Sequence, residues 1–195
     1  MKVRTYGDAA VLLDCESLDE AQGWFAALGG QVESVLGART VLLRGDPTSL
    51  RALISRSSPT SVKTGVSATK IEVPVTYDGP DLADVARLTD LTEDEVVAAH
   101  TGKPWTVAFG GFAPGFSYLV GGDSRLTVAR HNSPRTSVPA GAVGLAGEFS
   151  GIYPRESPGG WRLLGRTSLT MWDSNRAEPA LLAPGMTVRF VAVDQ

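Results

Sequence analysis

Eleven of the chain's 22 glycines fall between Gly110 and Gly160, nine of them inside three ordered phrases: GGFAPGFSYL, PRTSVPAGAVGLAG and SGIYPRESPGGW. Glycine is needed where the backbone takes a positive φ or comes close to another group, and proline where φ is already set, so this density means many backbone positions of demanding geometry. The phrases also interleave Phe112, Phe116, Tyr118, Tyr153 and Trp161, which a solvated linker does not. Aromatic faces, turned backbone amides and arginines together make a binding surface for a small planar or anionic group. A tight β-barrel draws on the same residues, with Gly and Pro at its corners and aromatics in its core. Three such phrases in succession exceed what barrel corners alone require. This stretch is where a functional site is expected.

The rest of the composition narrows the class. Cys15 is the single cysteine, which excludes an internal disulfide, and His100 and His131 lack the spacing of a metal site. No metal is expected in this chain. No apolar run approaches the length of a membrane span, and Asp8 interrupts the N-terminal MKVRTYGDAAVLLD, so a cytoplasmic location is expected. The net charge of -3 conceals an asymmetry: Lys103 is the last lysine, and every basic residue after it is an arginine. Arg offers a rigid donor fork for carboxylate or phosphate. With no basic cluster or stripe of the nucleic-acid kind, a small acidic molecule is the expected partner.

Along the chain, AAVLLD at 9–14 reads as a strand, and a helix follows with Ser17 as N-cap, Glu20 completing a capping box and Gly29 as its stop. Two antiparallel strands flank Gly37, and Asp46–Pro47 opens a second helix with Leu50, Leu53 and Ile54 on one face. The order β-α-β-β-α, with a last strand still to come, is most of a ferredoxin-like split βαβ unit. Residues 55–69 turn to Ser, Thr, Pro and Gly and read as a linker. KIEVPVTY then alternates as an edge or half-buried strand, two short helices are expected near 81–88 and 92–101, and short strands follow to TVRFVAV at 187–193. The expectation is α+β: a ferredoxin-like domain over 1–68 and an antiparallel barrel or sandwich over 69–195.

GFAPGFSYL, VPAGAVGLAG and SPGGWRLLGRT, in that order, resemble the family described as allophanate hydrolase subunit 1, which includes the B-type component of 5-oxoprolinase and a sporulation kinase inhibitor. The likeness covers nearly the whole chain, from YGDAAVLL to APGMTVRFVAV, and extends to one half of the carboxyltransferase domain of urea carboxylase. It implies a cyclophilin-like barrel after the small α+β domain. It also implies a subunit of an ATP-dependent 5-oxoprolinase, opening 5-oxo-L-proline to L-glutamate together with a carboxyltransferase-like second subunit and a third subunit. A carboxyltransferase or hydrolase subunit of a urea or allophanate pathway, and an inhibitor of a sensor histidine kinase, are the alternatives. The chain lacks a phosphate-binding loop and a nucleophile elbow, so ATP is expected to enter through the assembled complex.

What the resemblance implies for single residues follows from the chemistry of a poor electrophile whose carboxylate must be held. Arg130, Arg135 and Arg166 are candidates for a carboxylate or phosphate clamp, and amides around Gly111, Gly115, Gly159 and Gly160 for contacts to a developing oxyanion. Phe112, Phe116, Tyr118 and Trp161 would wall the ring, and Ser157 would touch it through its hydroxyl. His100 and Arg135 are the candidate catalytic residues; His100 is a general base or else a cation at a helix C-terminus. His131 reads as a rim residue, Cys15 as a buried small hydrophobe, and Asp123, Glu148 and Glu156 as solvated turn residues.

Overall fold

Strand β1 (Lys2–Thr5) opens the first of two units, Met1–Gly65 and Val66–Gln195, in the computed structural model, which describes residues 1–61 and 69–194. It is followed by β2 (Ala10–Asp14), α1 (Leu18–Leu28), β3 (Ser34–Leu36), β4 (Thr40–Arg44) and α2 (Pro47–Ser55). The strands form one antiparallel sheet in the order β1-β2-β4-β3. From β2 onward this is the expected split unit, but the strand expected after α2 comes first instead: Lys2–Thr5 takes the edge beside β2. It escapes a pattern search because none of its four residues is buried, so it carries no hydrophobic period. Backbone pairing and the Arg4–Asp14 ion pair hold it.

Both helices begin as their caps dictate. The Ser17 side chain accepts from the Glu20 amide at 3.1 Å, although the Glu20 carboxylate reaches back to the amide of Glu16. Asp46 accepts from the Ser49 amide at 2.7 Å ahead of Pro47. Leu50, Leu53 and Ile54 are buried against Val11, Leu13, Val41 and Leu43. Cys15 is buried beside them and its thiol is pushed up to about 11 by burial, which makes it an inert apolar filler. The expected linker lies largely outside the described residues, at 62–68.

The second unit runs β5 (Lys70–Val75), α3 (Leu82–Thr89), α4 (Glu93–Gly102), β6 (Trp105–Gly110), β7 (Ser117–Val120), β8 (Arg135–Val138), β9 (Ala142–Ala146), β10 (Phe149–Ile152), β11 (Ser157–Gly159), β12 (Arg162–Arg166) and β13 (Thr187–Ala192). Seven of these strands form a sheet in the order β12-β9-β10-β7-β6-β13-β5. Thr76, just past β5, and Arg166, at the far end of β12, exchange two backbone hydrogen bonds of 2.9 Å, so the sheet curls into a nearly closed barrel. Gly165 lies at that seam, where a Cβ would collide with the Thr76 carbonyl. One expectation is corrected: β13 runs parallel to β5, so the barrel is mixed and not wholly antiparallel. Side-chain alternation marks a strand's faces but not the direction of its neighbour.

The barrel core gathers Val73, Val75, Trp105, Leu119, Leu145 and Phe190, and α3 and α4 add Leu82, Val85, Val96 and Ala99 to the same cluster. The expected capping box starts α4: the Thr92 hydroxyl accepts from the Glu95 amide and the Glu95 carboxylate accepts from the Thr92 amide. Strands β8 and β11 stand apart as a two-stranded ribbon, and the site is built against it. No described helix is long and apolar enough to cross a membrane, and no group of metal-ligating side chains occurs among the described residues.

Candidate functional site

The turn between β6 and β7 places the first aromatics. Its backbone is pinned by the amides of Ala113, Phe116 and Gly111, which donate to the carbonyls of Gly111, Ala113 and Phe116 respectively, and it needs left-handed conformations at Phe112 (φ 66°) and Gly115 (φ 82°). Gly115 suits that geometry; Phe112 has a Cβ and is strained by it. The Phe112 ring is nevertheless 59% exposed and rests edge-on against Phe116 at 5.2 Å. Phe116 in turn sits edge-on to Tyr118, Tyr153 and Trp161, at 5.1, 5.5 and 5.2 Å between ring centres. Edge-to-face contacts of this kind fix ring orientation as well as burying area.

These rings enclose a cavity of about 180 Å³. Phe112, Phe116, Tyr118, Arg130, Gly159, Gly160 and Trp161, all expected as substrate contacts, line it together with Pro134, Tyr153 and Pro158. Gly159 is required there, since a Cβ would enter the Tyr153 phenol. Burial raises the phenol pKa values of Tyr118 and Tyr153, so both remain neutral donors at the wall. Arg130 supplies the charge. Its neighbours are anchored, with Arg162 Nε donating to the Ala129 carbonyl at 3.1 Å and the His131 amide to the Gly160 carbonyl at 2.8 Å. The Arg130 guanidinium itself has no hydrogen bond or ion pair among the described residues. A cation held at the rim of an aromatic cavity with its donors free is a place for an anion.

The other residues expected at the site lie elsewhere. Arg135 and Arg166 line a second cavity of about 410 Å³, with Asp78, Pro80 and Pro139 among its walls, and neither reaches the aromatic one. Both are already paired: Arg166 Nε with Asp78 at 2.8 Å and Arg135 Nη2 with Asp81 at 2.6 Å. Arg162 follows the same scheme, meeting Asp84 at 3.1 Å. Three aspartates spaced three residues apart thus each take one arginine from β8 or β12. Gly115 packs against Met171 and Trp172, Gly111 lies against Tyr118 and Phe109, and Ser157 is buried with its hydroxyl donating to the Arg155 carbonyl. None of these three lines the aromatic cavity.

His100 is fully buried, within the barrel core. Its Nδ1 lies 2.7 Å from the Tyr77 hydroxyl and its Nε2 2.9 Å from Ser150 Oγ, while its ring stacks on Phe190 at 4.2 Å. Burial pushes its pKa down to about 3, so it is neutral at physiological pH and is not the helix-end cation that its sequence position suggests. It lines neither of the two cavities described. Asp123 stands in a turn, but it is not the solvated residue expected: its side chain is 11% exposed and paired with Arg125 at 2.9 Å, whereas Glu148 and Glu156 are exposed.

Asp81 carries no signal in the sequence that marks it for the site. It precedes α3 and reads as an N-cap, yet its side chain makes no capping bond. Only 3% exposed, it accepts from Arg135 Nη2, from His131 Nε2 at 3.0 Å, and from the Leu163 amide at 2.7 Å. Burial opposes its charge, but the Arg135 hydrogen bond and the Leu163 amide prevail and hold its pKa below the usual carboxylate range. His131, expected at the rim, is part of this cluster.

Residues 1–182 match the family model for the carboxyltransferase domain, subdomain C and D. Over 124 residues, 62% of this chain, it is 49% identical to the B-type component of 5-oxoprolinase from Escherichia coli O157:H7, and over 128 residues, 64% of the chain, 43% identical to that of Bacillus subtilis. Those matches span 57% and 53% of the relatives' own lengths, little more than half. A conserved uncharacterized protein of Pyrococcus horikoshii, known as a crystal structure, superposes with a TM-score of 0.64 at 33% identity, covering 100% of this chain and 98% of that one. The family model takes in both units, and this chain, with its nearly closed mixed sheet and the aromatic cavity beside the ribbon, belongs to the carboxyltransferase subdomain C and D family.

Proposed function

We propose that this chain is a subunit of a 5-oxoprolinase and that its aromatic cavity holds the lactam. The observation that carries the reading is the pairing of a small aromatic enclosure with one uncommitted cation, Arg130. At about 180 Å³ the cavity falls below the roughly 300–1,000 Å³ of sites that enclose drug-sized ligands, which suits a single five-membered ring and not a nucleotide. In this reading the Arg130 fork receives the substrate carboxylate, Phe116, Tyr118 and Trp161 pack on the ring, and the backbone at Gly159 and Gly160 faces the amide. Relatives named as 5-oxoprolinase components supply the substrate class.

A lactam carbonyl is a poor electrophile. Opening it by water alone is slow, so the oxygen is first converted to a better leaving group, and phosphoryl transfer from ATP does this in the proposed complex. Transfer to that oxygen leaves ADP; one water then adds to the carbon and the C–N bond breaks to give an acyl phosphate, which a second water hydrolyses to glutamate and inorganic phosphate. This chain's part is binding, orientation and exclusion of water from one side. ATP is assigned to the assembled complex, with a carboxyltransferase-like subunit closing the open side of the cavity and a third subunit completing the assembly.

The test is reconstitution with the companion subunits from the same source. The complete set is expected to hydrolyse ATP in response to 5-oxo-L-proline, and Arg130→Gln to raise the KM for 5-oxo-L-proline by about 10–100-fold, the loss of one charge-assisted fork, with no change in melting temperature. A complete set that turns over equally well with this chain omitted refutes the assignment.

A further inference from the structure

We propose that Asp81 is a positioning residue for the aromatic cavity, fixing the wall formed by Gly159, Gly160 and Trp161 without touching what the cavity holds. This rests on the functional reading above. The wall is a short stretch of backbone between β11 and β12, and three connections from Asp81 reach it. The carboxylate accepts directly from the Leu163 amide, at the start of β12. Through His131 Nε2 it holds the residue whose backbone amide donates to the Gly160 carbonyl. Through Arg135 Nη2 it holds the guanidinium whose Nη1 donates to the Trp161 carbonyl at 3.4 Å. Arg135 also stands opposite Gly159 in the β8–β11 ribbon.

A single buried carboxylate thus takes up the donors of two side chains whose own residues grip consecutive carbonyls of the wall. Its carboxylate oxygens are shared: Oδ1 serves Arg135 and His131, and Oδ2 serves Leu163. An amide in its place presents one oxygen and one nitrogen donor, so one of those contacts must turn from attraction to repulsion. A buried charge pair left with one partner is costly, and the relief open to Arg135 is to swing outward and release Trp161. The Asp78–Arg166 pair is chemically similar but more exposed and lies against the other cavity, which makes it the natural control.

The experiment compares Asp81→Asn with Asp78→Asn in the reconstituted complex and in the isolated chain. Asp81→Asn is expected to raise the KM for 5-oxo-L-proline at least tenfold, leave the KM for ATP within twofold, and shift the Trp161 indole N–H resonance, assigned by its loss in Trp161→Phe. Asp78→Asn is expected to change neither constant by more than twofold. A purely structural role would instead lower the active fraction, reducing kcat with both KM values unchanged, and that result overturns the proposal. If Asp81→Asn does not fold, Arg135→Lys is read in its place, since it keeps the charge on Asp81 but loses the second nitrogen that reaches Trp161; the same tenfold rise is expected and its absence overturns the claim. If the wild-type complex shows no 5-oxo-L-proline turnover, the substrate assignment fails alone, and an unmoved Trp161 resonance in the folded variant overturns the positioning role independently.

Discussion

His100 and His131 each join polar groups from distant parts of the second unit, and the two clusters have opposite physics. Around the buried His100 the groups are neutral: a half-buried phenol on one side, a buried hydroxyl on the other, and an aromatic ring beneath. Around His131 a charged aspartate and arginine lie at the edge of the barrel, with the histidine 24% and Arg135 30% exposed. The first cluster excludes water and ties α4 to β10 inside the core. The second stays close to solvent and reaches the backbone that lines the aromatic cavity. A histidine inside a sealed core can hold a fold together but cannot exchange a proton with a substrate, whereas one behind a cavity wall can shape a site it never enters.

The largest effect that probes this contrast belongs to His100→Ala. Removing the ring opens a cavity and leaves Tyr77 and Ser150 without their shared partner, and about 4 kcal/mol of unfolding free energy should be lost in urea titration. A loss below about 1 kcal/mol would mean that the buried cluster does not hold the barrel. Next is pH. The unfolded chain binds a proton at the ordinary histidine pKa of 6.5, while the folded chain resists until about 3, so between those values the unfolded state carries the extra proton and stability falls as the pH is lowered. The loss should reach about 2 kcal/mol near pH 5, and His100→Gln should abolish that portion of the slope. An unchanged slope in the variant would place the acid sensitivity in other groups. The smallest effect is expected from Arg166→Gln. This arginine is 61% exposed, so breaking its pair with Asp78 should cost less than about 1 kcal/mol, with turnover unchanged. A large loss there would erase the distinction between the Asp81 cluster and the peripheral ion pairs.

Much of the cavity is legible in the sequence because its signals are local. Phe112, Phe116 and Tyr118 belong to one phrase, and Gly159, Gly160 and Trp161 to another, so recognising those two phrases is enough to place six lining residues on one surface. Caps are equally legible, since Thr92 and Glu95 satisfy each other within one helical turn. The failures involve partners far apart. Asp81 is 50 residues from His131 and 54 from Arg135, and nothing in Gly-Pro-Asp-Leu distinguishes a buried ion-pair centre from a helix cap. Arg135 and Arg166 resemble a clamp because arginine next to glycine and proline suggests anion binding; only the fold reveals that Asp81 and Asp78 occupy them first. His100 misleads for a related reason, as its position near a helix end says nothing about Phe190 stacking over its ring.

The parallel pairing of β5 with β13 sets the timetable for assembly. Residues 70–75 find their neighbours only when 187–192 have been made, so on the ribosome the barrel waits with an unsatisfied seam while every intervening strand emerges. Backbone donors and acceptors along β5 and β6 stay open throughout that interval, and such rims template pairing with other chains. Yield on overexpression should therefore depend on how quickly synthesis reaches the final strand, more than on the stability of the finished molecule.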